Sequence, residues 1–102
     1  MIIDMNLLER KAAELFGQGR IEEAREIYVA MADGDASLDA GYLGMKIGLC
    51  FEKQGKFVDA KYWFNRAEEE NPGVRSEVTD ALKRLNHICL ESRFEEILKG
   101  GA

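Results

Sequence analysis

Two stretches of the chain repeat each other at a spacing of 36 residues. Leu15-Phe16-Gly17-Gln18-Gly19-Arg20-Ile21 lies above Phe51-Glu52-Lys53-Gln54-Gly55-Lys56-Phe57. A large apolar residue, a Gln-Gly turn, a basic residue and a second large apolar residue return in the same order. The register extends on both sides: Ala12 over Gly48, Ala24 over Ala60, Tyr28 over Phe64 and Met31 over Ala67. A fixed period of this size marks stacked helical units, none of which can bury its apolar face alone. Stacking of this kind points to a binding scaffold and away from a catalytic pocket.

The periodicity predicts five helices and no strands. Val, Ile and Thr are sparse, and no alternating apolar run occurs. The first helix is expected from about Asp4 to Phe16, with Asn6 and Glu9 spaced for a capping box. Leu8, Ala12, Leu15 and Phe16 form its apolar stripe. A second helix is expected over about Arg20–Ala32, with Ile21, Ala24, Ile27, Tyr28 and Met31 inward. The Asp33-Gly34-Asp35 run reads as a turn. A third helix is expected over about Ser37–Lys53. It would contain Gly41, Gly44 and Gly48, each costing ~1 kcal/mol relative to Ala. That cost suggests close approach of another backbone, at least at Gly48. A fourth is expected over about Lys56–Glu70, broken by Asn71-Pro72-Gly73. From Val74 to Lys99 the spacing fits one long helix, although Ser92 and Glu95 could start a separate short one.

Length and charge narrow the field. One hundred and two residues make a single domain. The net charge of −5 lies wholly in residues 1–40, which carry nine acids and four bases, while residues 41–102 carry ten of each. Such a field disfavours a polyphosphate partner, so nucleic acid is not expected. No run approaches the ~20 apolar residues of a membrane span. Cys50 and Cys89 stand in apolar helical stretches and form no metal-ligand pattern. With no secretory leader at the start of the chain, a cytoplasmic location is expected.

The repeat units resemble the tetratricopeptide repeat, a helix–turn–helix unit of ~34 residues. In the second unit Ile47-Gly48, Phe51, Gly55, Ala60, Phe64, Ala67 and Pro72 fall at the family's Leu-Gly, Tyr, Gly, Ala, Phe, Ala and Pro positions. In the first, Leu8, Ala12, Leu15, Gly19, Ala24 and Tyr28 fit, while Lys11, Met31 and Ala36 depart. The resemblance implies an all-α domain: antiparallel helix hairpins stacked as a short α-α superhelix. Repeat one would span about 5–36, repeat two about 41–72 and a capping helix about 74–99.

It also implies a non-enzymatic protein-interaction scaffold that binds a helical or peptide segment in a concave groove lined by first helices. The matching positions include Tyr42, Met45, Leu49, Glu52, Lys53 and Lys83, together with Asn6, Glu9, Ala13, Thr79 and Asn86. One subclass grips the terminal carboxylate of chaperone tails with lysine, asparagine and arginine. Its positions hold Glu9, Ala13, Lys46, Ser76 and Asp80 here, so that ligand is rejected. The apolar centre at Tyr42, Met45 and Leu49 suits an amphipathic helix. The alternative is self-association through Leu90, Phe94, Ile97 and Leu98, a run at helical spacing that extends past the expected end of a first helix.

Searches for chemistry return little. His87 and Cys89 are two apart, so on a helix they point in different directions. Asp33 to Asp39 alternates acids, but Leu38 and Gly44 stand where a calcium loop needs glycine and glutamate. Trp63 matches Ile27 of the first unit, which makes Tyr62-Trp63-Phe64 a packing seam. No catalytic residue, cofactor or metal site is expected.

Overall fold

The computed structural model describes residues 4–34, 41–73 and 75–100, without the side chains of Cys89 and Ser92. It is all-α. Five helices follow in order: α1 (Met5–Gly17), α2 (Ile21–Asp33), α3 (Tyr42–Lys53), α4 (Phe57–Glu70) and α5 (Ser76–Gly100). Among the described residues there is no strand. Each helix packs against its neighbours in sequence, so α3 lies between α2 and α4, and α4 between α3 and α5.

The sequence repeat becomes a repeat of geometry. At the first turn the Gly19 N–H donates to the Phe16 carbonyl at 3.0 Å, and the Arg20 N–H to the Leu15 carbonyl at 2.9 Å. Thirty-six residues on, Gly55 donates to Glu52 at 3.0 Å and Lys56 to Phe51 at 2.9 Å. These bonds close the helix ends in the Schellman manner, which requires a left-handed residue. Gly19 (φ 81°) and Gly55 (φ 74°) supply it. Burial follows the same register: Ala12, Ala24, Tyr28, Gly48, Ala60 and Phe64 are all buried.

The apolar interior has two parts. The first joins Ala12, Leu15, Ala24, Tyr28, Met31, Leu43, Ile47 and Cys50 from α1, α2 and α3. The second joins Met45, Ala60, Phe64, Ala67, Val78, Ala81 and Leu85 from α3, α4 and α5. Tyr42 and Phe51 pack against both. The Arg25 guanidinium lies 4.5 Å from the Phe51 ring centre and donates to the Gln54 side-chain oxygen, tying α2 to the end of α3.

Several local expectations are corrected. The N-cap of α1 is Asp4, not Asn6: its carboxylate accepts from the N–H groups of Asn6 and Leu7 at 3.0 and 3.2 Å. A residue placed before the first apolar turn, with a free carboxylate, caps better than an amide already inside it. Helix α3 begins at Tyr42, and Gly41 is its left-handed N-cap (φ 88°); the expected start at Ser37 lies outside the described residues. Backbone approach occurs at Gly41 and Gly44. A Cβ on Gly41 would stand 2.7 Å from the Ala67 carbonyl oxygen, and one on Gly44 3.2 Å from that of Trp63. At Gly48 the neighbour is a side chain, the Phe64 ring, at 2.9 Å. The C-terminal segment is one continuous helix, without a break near Ser92.

Candidate functional site

Helices α1, α3 and α5 are bridged by two polar contacts. The Tyr42 hydroxyl donates to a Glu9 carboxylate oxygen, joining α3 to α1. Arg84 of α5 donates two hydrogen bonds to Glu52 of α3, at 2.8 and 3.0 Å. The second is a two-pronged guanidinium–carboxylate pair, which fixes direction as well as distance. Between α1 and α3 lies a depression of about 180 Å³, lined by Ala13, Phe16, Gly17, Tyr28, Lys46 and Leu49. Its walls are mainly apolar, with the Lys46 ammonium stem as the charged member.

Tyr42 is half-buried at the start of α3. Lys46 and Arg75 place their cationic groups 5.4 and 5.5 Å from its ring centre. Burial raises its hydroxyl above the ordinary phenol range, and the Glu9 carboxylate that accepts its hydrogen bond adds to the shift. Tyr28 is pushed up to about 12, first by burial and then by Cys50 and Glu9. Cys50 is pushed up to about 11 by burial, against the opposing charges of Arg25 and Lys46. None of these groups is activated; each is held in its neutral form at ordinary pH.

The expected groove residues therefore separate. Leu49 lines the depression. Tyr42 sits beside it but is engaged with Glu9, Lys46 and Arg75. Met45 is a correction: it is 7% exposed and packs with Val78, Ala81 and Leu85 in the second apolar cluster. The position turns inward because α5 closes over that side of α3. Glu52 is held by Arg84. Lys53 stands at the turn end of the molecule, where it borders a wide depression with Arg20, Glu23 and Gln54, away from Tyr42. Lys83 is exposed on α5. Phe16 and Tyr28 were readable only as core stripe residues. Their partial role as walls depends on how far α1 stands from α3, which no local pattern encodes.

The C-terminal run is exposed. Leu90, Phe94, Ile97 and Leu98 are 49%, 54%, 61% and 82% accessible. Among the described residues of α5 the last fully buried one is Leu85. His87 is exposed and lies 3.0 Å from Glu91, one helical turn on. Tyr62 is exposed and meets Trp63 edge-on at 5.5 Å, while Phe64 is buried. Among the described residues no group of three or more His, Cys, Asp or Glu is placed to hold a metal ion. Among them also, no helix is long and apolar enough to cross a membrane. Comparison with protein-family models, with curated proteins and with solved structures returns no match.

Proposed function

We propose that the chain is a tetratricopeptide-like, non-enzymatic interaction scaffold of the cytoplasm that binds a helical or peptide segment of another protein across α1 and α3. The observation that carries this reading is the apolar depression between Phe16, Tyr28 and Leu49, with Ala13 on its rim. Its size suits one aliphatic or aromatic anchor side chain, and recognition of helical segments by grooves works through such anchors. Lys46 at its edge offers a charge to an acidic residue one turn from the anchor. The Glu9–Tyr42 and Glu52–Arg84 contacts on either side hold the helices at fixed spacing, so little ordering is needed on binding. The acidic N-terminal half disfavours nucleic acid as the ligand.

The test is selection of peptides from a random displayed library against the isolated chain, followed by amide chemical-shift mapping. The expected result is a set of amphipathic sequences with one large apolar anchor and a single acidic residue about one turn from it, perturbing Ala13, Phe16, Lys46 and Leu49. Leu49→Glu should abolish their binding without unfolding the chain. Perturbations centred elsewhere, or selected peptides that bind Leu49→Glu equally well, would overturn the assignment.

A further inference from the structure

The outer edge of the first repeat carries an apolar groove. It is a depression of about 380 Å³ between α1 and α2, with Leu8, Leu15, Ile27 and Ala30 in its walls. Lys11 stands on its α1 rim and Glu26 on its α2 rim. The second repeat shows what such a face receives. At the 36-residue spacing, Lys11, Leu15 and Ile27 correspond to Ile47, Phe51 and Trp63. Those three pack into the cluster built with α1 and α2. Arg25 of α2 lies over the Phe51 ring. A helix of the preceding unit thus covers the face in repeat two, and nothing among the described residues does so in repeat one.

A helix with a matching face stands at the other end of the molecule. Val78, Ala81 and Leu85 of α5 are buried against α4. At roughly 100° per residue, the exposed Leu90, Phe94 and Ile97 lie roughly 150° further around. At 25 residues α5 is ~37 Å long, against ~21 Å for the 14 residues of α4. Its last turns project beyond the body of the domain. A free helical extension of this length is marginal in water. Leu90 and Ile97 are as far apart in sequence as Leu8 and Leu15, two helical turns or ~10 Å. We infer that the groove of one copy of the chain receives the end of α5 of a second copy, head to tail.

The flanking charges fit this occupant and set its direction. Arg93 lies roughly 70° to one side of the stripe and Glu91 roughly 90° to the other, while Glu95, Glu96 and Lys99 point away. Laid parallel to α1, the incoming helix turns Arg93 to the α2 rim and Glu91 to the α1 rim. With Leu90 level with Leu8, Arg93 falls level with Lys11. Glu26 lies opposite at that level, because it stands as far after the Gln18-Gly19 turn as Lys11 stands before it. Arg93 therefore meets Glu26, and Glu91 meets Lys11. The reverse direction would set Arg93 towards Lys11 and Glu91 towards Glu26. Among the described residues Lys11, Glu26 and Arg93 are in no ion pair, Glu91 has only His87, and Glu23 on the α2 rim is already held by Arg20. Groove and tail are different surfaces, so each pair leaves one of each free and copies add into an open chain. The contact buries at most ~1,000 Å², small for a specific interface, and its dissociation constant is about 10–100 µM.

Sedimentation equilibrium of the full chain from about 5 µM to 1 mM tests the inference, in ~0.15 M salt to screen the repulsion of the net charge. The expected result is a mean mass that rises with concentration past that of a dimer. Phe94→Glu removes the tail and Ala30→Glu blocks the groove; both positions are exposed, so the fold is kept. Each should weaken assembly at least ~10-fold. An equimolar mixture of the two variants should form a 1:1 pair and nothing larger, because one keeps its groove and the other its tail. Arg93→Glu and Glu26→Arg should each weaken assembly about 3–10-fold, and the chain carrying both should regain it. A chain that stays monomeric at 1 mM, assembly that Ala30→Glu leaves untouched, a variant mixture that does not pair, or a double reversal whose losses add would overturn the inference.

Discussion

Single residues carry the tightest constraints where helices touch. Gly41, Gly44 and Gly48 succeed one another along α3, yet their roles differ. Gly41 needs a left-handed backbone and faces the Ala67 carbonyl, so Gly41→Ala meets both strain and a 2.7 Å contact. Left-handed strain alone costs ~1–3 kcal/mol for a residue with a Cβ. Gly48→Ala gains ~1 kcal/mol of helix propensity but drives a methyl into the buried Phe64 ring, a repacking that costs ~1–3 kcal/mol. Gly55→Ala meets strain and no neighbour at all. Urea denaturation should therefore rank the losses with Gly41→Ala largest, above both Gly48→Ala and Gly55→Ala. A Gly41→Ala variant as stable as the parent would contradict the αL cap. Burial sets a second expectation. The raised thiol of Cys50 and hydroxyl of Tyr28 mean that the folded state keeps protons that the unfolded state releases. Their contribution is present below pH ~9 and is lost as pH rises towards the folded-state values. Midpoints should hold steady near neutrality and fall progressively between pH 9 and 12, and the fall should begin at higher pH in Cys50→Ala. Native Cys50 should also resist a thiol reagent at pH 8 and react once the chain is unfolded.

At the scale of helices, the inward or outward facing of α3 decides which residues are available to a ligand. Met45 and Leu49 are one turn apart and look equivalent in the sequence. Met45 is buried in a cluster with Ala60, Phe64, Val78, Ala81 and Leu85, whereas Leu49 is only partly buried: one side packs against that cluster and the other lines the α1–α3 depression. Met45→Glu would place a carboxylate in an apolar seam with no partner, a change expected to cost more than ~3 kcal/mol. Leu49→Glu gives up only part of a side chain's burial and leaves its carboxylate access to water, so it should cost less, about 1–2 kcal/mol. Circular dichroism during thermal unfolding separates the two; equal melting temperatures would refute the assignment of α5 to that side of α3. Five helices were legible because apolar spacing and the Gln-Gly turns are local signals. The ends at Gly17 and Lys53 follow from the glycine two residues later, which closes the same pair of backbone bonds in each unit. The groove was legible only in part. Leu49 was found by register, but the inward turn of Met45 depends on where α5 lands, and the pairing of Glu52 with Arg84 joins residues 32 apart in sequence. Neither is fixed by period or composition.

The whole molecule is longer than its residue count requires. Its radius of gyration is 15.4 Å and its longest extent 59 Å, whereas a compact chain of this length has a radius of gyration of about 13 Å. The excess matches the projecting end of α5. Among the described residues, those that secure α5 to the body lie before residue 90: Val78, Ala81, Leu82 and Leu85 in the apolar seam, and Arg84 on Glu52. Residues 90–100 bring four large apolar groups, all exposed. Deleting residues 90–102 should accordingly leave the two apolar clusters and the α1–α3 depression intact. The unfolding free energy of the monomer should change by less than about 1 kcal/mol, because no buried contact is removed. Its denaturant dependence should hardly change, since that slope scales with the surface exposed on unfolding. The radius of gyration of the truncated chain should contract towards the compact value in small-angle scattering at low concentration. The helical signal should fall by about the share of the deleted turns. A truncated chain that loses several kcal/mol, or whose α1–α3 amide resonances shift, would show that the end of α5 folds back on the body in solution.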